Sequence, residues 1–314
     1  MERRFHAILS QYNILFKQVT PVHRICKRSV VLSYKVLGES TTESDEPPVF
    51  LFHGLLGGKR QWEGIGKIIL NVTKRSVVAV DLRNHGDSPH VNSHKYEEQA
   101  EDILHLFQKL GVKQASLLGH SMGGKAAMCL ALMAPLRITG VLVVDISPVT
   151  TSKHYRDDFP KILAAMKAVD FKNPKEVLPA KIEAKKQLEG LSIDDHLMKV
   201  ILDNIKLKTD NTIGWSCNID VLLNDIKHIA SFPNLKDKTY FGPTLLLGGQ
   251  MSELIPPDDL TEIRAKFPRA VITYIHKARH NVHVDDPRSF LERAIAFIRT
   301  HHYRQQFKPP TLSK

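Results

Sequence analysis

A chain of 314 residues with 42% hydrophobic and 25% charged side chains has the balance of a globular protein, which excludes a disordered, collagenous or low-complexity one. Cys26, Cys129 and Cys217 show no C-x-x-C spacing, so neither a disulfide framework nor a zinc site is expected, and no run of about 18 apolar residues marks a transmembrane helix. The formal charge of +11 sits at the ends: residues 1–37 carry +6 and residues 301–314 carry +3, leaving +2 on the rest and no broad basic face for nucleic acid.

Residues 1–28 hold many Arg, Lys and His against one acid, and Phe5, Ile8, Leu9, Tyr12, Leu15 and Phe16 recur at helical spacing. A helix so built is basic on one side and apolar on the other, the composition of a mitochondrial transit peptide. Pro21 would end it. The folded core is expected from about Ser29. Short apolar runs follow at 49–52, 77–80, 116–118, 141–144, 245–247 and 271–275. Such runs suit strands buried on both faces. Helical patterns lie between them. Over 96–110, Ile103, Leu104, Phe107 and Leu110 share a face, and Gly111 stands at the cap. This alternation predicts a mostly parallel, doubly wound α/β sheet. It stops after Ser147-Pro148. Residues 151–235 are charged and helical in character and read as a helical cap, inserted at the carboxyl edge of a strand where open sheets bind ligands. The core then comprises 29–150 and 236–300, and 301–314 form a flexible tail.

Gly119-His120-Ser121-Met122-Gly123-Gly124 fits G-x-S-x-G between the run 116–118 and a helical pattern. The glycines permit a tight turn that lifts the Ser121 hydroxyl above the sheet on strained backbone, so Ser121 is the expected nucleophile. His53-Gly54-Leu55-Leu56-Gly57-Gly58 follows the run 49–52 and can aim a backbone N–H at a developing oxyanion; the expected donors are the amides of Leu55 and Met122. The base should follow the last strand. His280 comes first in that loop, and His283 is expected to pack at the start of the next helix.

The acid is harder to place. The loop after 245–247 reads Gly248-Gly249-Gln250-Met251-Ser252-Glu253, with no aspartate, and Glu253 would serve only if the loop shifted. Asp145 ends the run 141–144, beside the nucleophile strand, and is the first choice. Asp220 in Trp215-Ser216-Cys217-Asn218-Ile219-Asp220 is the alternative. Asp81-Leu82-Arg83-Asn84-His85-Gly86-Asp87-Ser88-Pro89 is expected to order a loop beside the oxyanion turn. No metal or organic cofactor is called for.

HGLLGG, DLRNHGDSP, GHSMGG and the late His280 together resemble the α/β-hydrolase family over most of the chain. Within it, VVDISPV, the W…N-x-D segment and RHNVHVDDP resemble the mitochondrial alpha/beta hydrolase domain-containing protein eleven group. The resemblance implies the α/β-hydrolase fold with a lid-like cap and serine hydrolysis of lipid acyl esters such as diacylglycerols. It also implies a matrix location and association with the 2-oxoglutarate dehydrogenase complex. It puts the carboxylate in the W…N-x-D segment, here Asp220, so the choice between Asp145 and Asp220 stays open. Arg279 and Asn281 stand where that family has Gly and Trp around the histidine, Asn84 where it has Gly, and Ser216 where it has Arg. A thioesterase, or a hydrolase-shaped binding protein without turnover, is the competing expectation.

Overall fold

The computed structural model describes residues 29–38, 46–150, 154–171, 176–191 and 193–300; the predicted transit peptide and tail lie outside them. Nine strands are described: β1 Tyr34–Leu37, β2 Val49–Phe52, β3 Val77–Val80, β4 Ala115–His120, β5 Ile138–Val144, β6 Ile205–Leu207, β7 Ile213–Trp215, β8 Thr244–Gly249 and β9 Ala270–Ile275. The described helices include α1 Glu63–Thr73, α2 Tyr96–Lys109, α3 Met122–Met133, α4 Phe159–Ala168, α5 Val177–Gln187 and α6 Asp195–Asp203. They continue as α7 Ile219–Asn224, α8 Ile226–Ala230, α9 Leu260–Lys266, α10 Val282–Asp285 and α11 Pro287–Thr300.

Seven strands make one sheet in the order β1-β3-β2-β4-β5-β8-β9. β1 runs antiparallel to β3, and the other pairings of this sheet are parallel. All six apolar runs become strands. They lack polar alternation because both faces are covered. In β2, Phe50 and Phe52 enter one core with Val78, Val80 and Leu117, while Val49 and Leu51 enter the other with Val77, Ala79 and Leu118. α2 and α3 cover the first face, through Ile103, Phe107 and Ala127. α1 and α11 cover the second, through Ile69, Phe290 and Phe297. The strand order reverses direction between β2 and β4, so the loops that leave these neighbours part to opposite faces and open a crevice at their carboxyl ends.

β1 was not foreseen. An edge strand carrying half-buried and exposed residues, Tyr34-Lys35-Val36, has no continuous apolar run to betray it. The cap differs in detail. It holds a two-stranded antiparallel hairpin, β6 with β7, which pairs Ile205 with Trp215 and Leu207 with Ile213. Strands of three residues are too short to show a period. Late in the cap the chain forms two helices, α7 and α8, that meet at Asp225. The cap packs on the first core through Ile162, Leu163, Met166 and Leu222. Lys125 of α3 fastens it there: its Nζ donates to the carbonyl of Ala230 at 2.6 Å and of Ser231 at 3.3 Å.

The loop after β3 is tied down by a buried fork. Arg83 Nε and Nη2 donate to Asp102 Oδ2 and Oδ1 at 2.6 and 2.9 Å, and Nη1 reaches Glu98. Paired in this bidentate way, a guanidinium can lie inside the protein; losing one partner would cost about 3–5 kcal/mol.

Candidate active site

Ser121 stands between β4 and α3 with φ 51° and ψ −117°, a left-handed backbone that a side chain adopts only at a cost. The turn closes because its neighbours lack side chains. A Cβ on Gly119 would run into the Gly123 backbone, and one on Gly123 would meet the carbonyls of Phe52 and His53. The Ser121 N–H donates to Val144 O at 2.9 Å, which pins the turn to β5. α3 starts at once, so the Met122 N–H lies at the free amino end of a helix.

β5 ends in Asp145, also left-handed at φ 51°. Its N–H donates to Leu247 O at 3.0 Å, so the β5–β8 ladder carries on past the strand and fixes the residue. His280, in the loop after β9, meets it: Nδ1 lies 2.8 Å from Asp145 Oδ2. A carboxylate only accepts, so the proton is on Nδ1 and Nε2 is the basic nitrogen. Two further donors hold the acid. Gly249 N–H reaches Oδ1 at 2.9 Å and Ser252 Oγ reaches Oδ2 at 2.6 Å. The Asp145 side chain is 1% exposed and that of His280 30%, so the acid is sealed and the base faces the cavity.

The other two acids lie elsewhere. Asp220, at the start of α7, is 66% exposed and pairs with Lys167 at 2.6 Å, so it is a surface residue of the cap and not a partner of His280. Glu253 lines the same cavity as His280, while its neighbour Ser252 holds Asp145. Ser252 was missed by sequence reasoning. Its signal was present: a hydroxyl in the loop where an acid was being sought.

The oxyanion loop is braced from below by neutral histidines. His53 Nε2 accepts from Leu82 N–H at 3.0 Å while Nδ1 donates to Gly54 O at 2.8 Å. His85 Nε2 accepts from Leu56 N–H at 3.1 Å while Nδ1 donates to Arg83 O. Burial pushes His53 down and His85 down to about 3, so neither carries charge at neutral pH. Lys59 closes the outer side, donating from its backbone N–H to Asp81 Oδ1 and from Nζ to Asp81 Oδ2. The loop rich in Asp, Arg and His therefore orders the oxyanion turn, as its composition implied. His120 Nε2 donates to His280 O at 3.2 Å and its ring lies 4.6 Å from that of His280. Burial first, then His280 and His283, holds His120 well below the usual histidine range. His283 stacks on Trp62 at 4.9 Å and acts in packing.

Ser121, His280 and Leu55 all line one cavity of about 1060 Å³ under the cap. Of the cap's apolar residues, Phe159 and Leu197 line it, whereas Ile162, Met166 and Ile201 are buried in the core. Trp215 instead packs edge-on to Phe171 and donates from Nε1 to Met166 O. Tyr155, absent from every sequence-based expectation, reaches in from the cap: its hydroxyl lies 2.5 Å from Ser121 Oγ. Among the described residues, no group of three or more His, Cys, Asp or Glu could hold a metal ion, and no helix is long and apolar enough to cross a membrane.

A strained serine turn after β4, a carboxylate–imidazole pair in the loops that follow β5 and β9, and a cap over the crevice define an α/β-hydrolase. The alpha/beta hydrolase fold model matches residues 47–287, and the chain belongs to that family. Within it, the sn-1-specific diacylglycerol lipase ABHD11 of Danio rerio is 37% identical over 256 residues, which cover 82% of this chain and 80% of that protein. Its counterpart in Mus musculus is 36% identical over 272 residues, 86% of each. A solved marine microorganism esterase is 31% identical with a TM-score of 0.75, covering 86% of this chain and all of that one. The chain is a carboxylic ester hydrolase.

Proposed function

We propose that the protein cleaves lipid acyl esters of the diacylglycerol kind through an acyl-enzyme on Ser121. The observation that carries this reading is the His280–Asp145 pair at 2.8 Å in the wall of the cavity that also holds Ser121. His280 Nε2 takes the hydroxyl proton as Oγ bonds to the ester carbon, then gives it to the departing alcohol. Water repeats the sequence in reverse and frees the acid. The amides of Leu55 and Met122 stabilise the tetrahedral oxygen in turn; the Leu55 N–H has no hydrogen-bond partner among the described residues, and its neighbour Leu56 is held by His85. Asp145 keeps the imidazole in one tautomer and stabilises it once charged.

The substrate class is supported by the named activity of the relatives and by an apolar cavity wall that includes Ile65, Leu197 and Val200. Purified protein should release fatty acid from diacylglycerol in detergent, and Ser121→Ala should abolish the release. Turnover of acyl thioesters with no turnover of diacylglycerol would replace this reading with a thioesterase.

We further propose that residues 1–28 direct the chain to mitochondria, on their basic and amphipathic composition. Fused to a fluorescent protein, this segment should carry it into the matrix; a cytosolic signal would dismiss the idea. Association with the 2-oxoglutarate dehydrogenase complex rests on the family resemblance, and co-sedimentation with that complex tests it.

A further inference from the structure

Ser121 is engaged, and by the cap rather than by its base. Among the described residues its Oγ has one hydrogen-bond partner, the Tyr155 hydroxyl at 2.5 Å. The Met122 backbone N–H acts on that same phenol, drawing it down against the effect of burial. Met122 is one of the two amides that an ester's carbonyl oxygen needs. The Tyr155 oxygen thus stands where that carbonyl oxygen has to go, with the nucleophile on one side and an oxyanion donor on the other.

The position is built. Tyr155 lies in a π-helical turn, His154–Asp158, just ahead of α4. Its ring is 2% exposed and stacks on Phe159, centroids 5.0 Å apart and planes 18° from parallel. Lys125 Nζ, which holds the cap through carbonyls of α8 and beyond, lies 5.9 Å from the ring centroid. Burial pushes the phenol up to about 12, so at neutral pH it stays protonated and meets Ser121 as a neutral hydroxyl.

We infer that Tyr155 is the gate of this site: in the empty enzyme its hydroxyl holds the oxyanion position, and each ester must displace it to reach Ser121. The inference rests on Ser121 being the nucleophile. The reacting state then requires Tyr155 to leave and the Ser121 hydroxyl to turn to His280. A device of this kind has a kinetic signature. The plug competes with substrate for one place, so apparent affinity is lowered by the open fraction, while the rate of a bound ester is untouched.

Tyr155→Phe keeps the ring and removes the oxygen. Expected are a KM lower by about tenfold, the size of one ordinary hydrogen bond, and a similar rise in the rate at which a fluorophosphonate labels Ser121, with kcat within about twofold. Phe159→Leu keeps the hydroxyl but loosens its stack, and should move both quantities the same way by less. This second variant decides the matter if the first does not fold. A fall in kcat at unchanged KM in Tyr155→Phe would make the hydroxyl a transition-state donor and overturn the gate. Unchanged labelling in both variants, with the wild type labelled, would overturn it as well. Labelling in neither wild type nor variant removes Ser121 as nucleophile, and the gate with it.

Discussion

At the scale of single residues, the unusual feature is the strand that supplies the acid. Asp145 follows β5, next to the strand that bears Ser121, while the last residue of β8, Gly249, supplies its amide and the loop after it supplies Ser252 to hold the carboxylate. The imidazole needs an acceptor at Nδ1, and either loop can reach it. This makes a sharp prediction. Asp145→Asn presents an amide to Nδ1, selects the wrong tautomer and should lower kcat about ten-thousandfold. Asp220→Asn, on the exposed face of α7, should leave kcat within about twofold, because a surface pair such as Lys167–Asp220 contributes at most about 1 kcal/mol. Steady-state kinetics on the two variants checks both, and equal losses would remove Asp145 from the mechanism. The contact of Asp145 with His280 was foreseeable because the end of a strand beside the serine-bearing strand is fixed by topology. Asp220 entered through a motif, and a motif carries no information about which way a short helix faces. Tyr155 was illegible for a related reason: nothing in 154–158 as a sequence says that the turn folds back over Ser121.

At the scale of elements, the question is what keeps the cap on the core. α3 is buried on all sides, and Lys125, in its first turn, is the side chain that bridges to the cap. Its ammonium is sealed among the last carbonyls of α8 and Ser231, with no acid beside it, and burial pushes it down to about 7. The unfolded chain holds this proton to about 10.5. Between the two values the unfolded state binds more protons, so stability rises with pH across that window. Lys125→Met loses the carbonyl contacts and the titration together. Denaturant midpoints from pH 7 to pH 9.5 should show wild type gaining on Lys125→Met; a constant difference would mean that the folded protein keeps the lysine protonated across this range, as the unfolded chain does. The sequence shows why such an element is hard to foresee. The core strands announce themselves, since burial on both faces leaves only apolar residues. The cap buries one side of short helices and a hairpin of three-residue strands, and its period is lost in that length.

At the scale of the whole molecule, histidine use sets the conditions under which the fold exists. His53, His85, His94, His120 and His283 are all pushed down by burial, His85 and His283 to about 3. The rings of His53, His85 and His94 stand in a row, 5.0 and 5.2 Å apart, directly under the oxyanion loop. Each must stay neutral to do its work: His53 and His85 accept backbone N–H groups that an imidazolium could not. The unfolded chain protonates them near 6.5, and the folded one resists until lower pH. As pH falls below 6.5 the unfolded state therefore takes up more protons, and stability falls. At pH 5 His85 and His283, both held near 3, each cost on the order of 2 kcal/mol. Together they reach a large share of the roughly 5–15 kcal/mol that holds a domain folded. The protein should thus lose thermal stability steeply between pH 7 and pH 5, above the range where carboxylates titrate. A His94→Gln, His283→Gln double variant should show a shallower slope of melting temperature against pH over that interval. His283 stacks on Trp62 and His94 lies against Met122, so the variant will melt lower at pH 7, and the slope rather than the midpoint is the reading. An unchanged slope would mean that His94 and His283 pick up protons in the folded state as readily as in the unfolded chain.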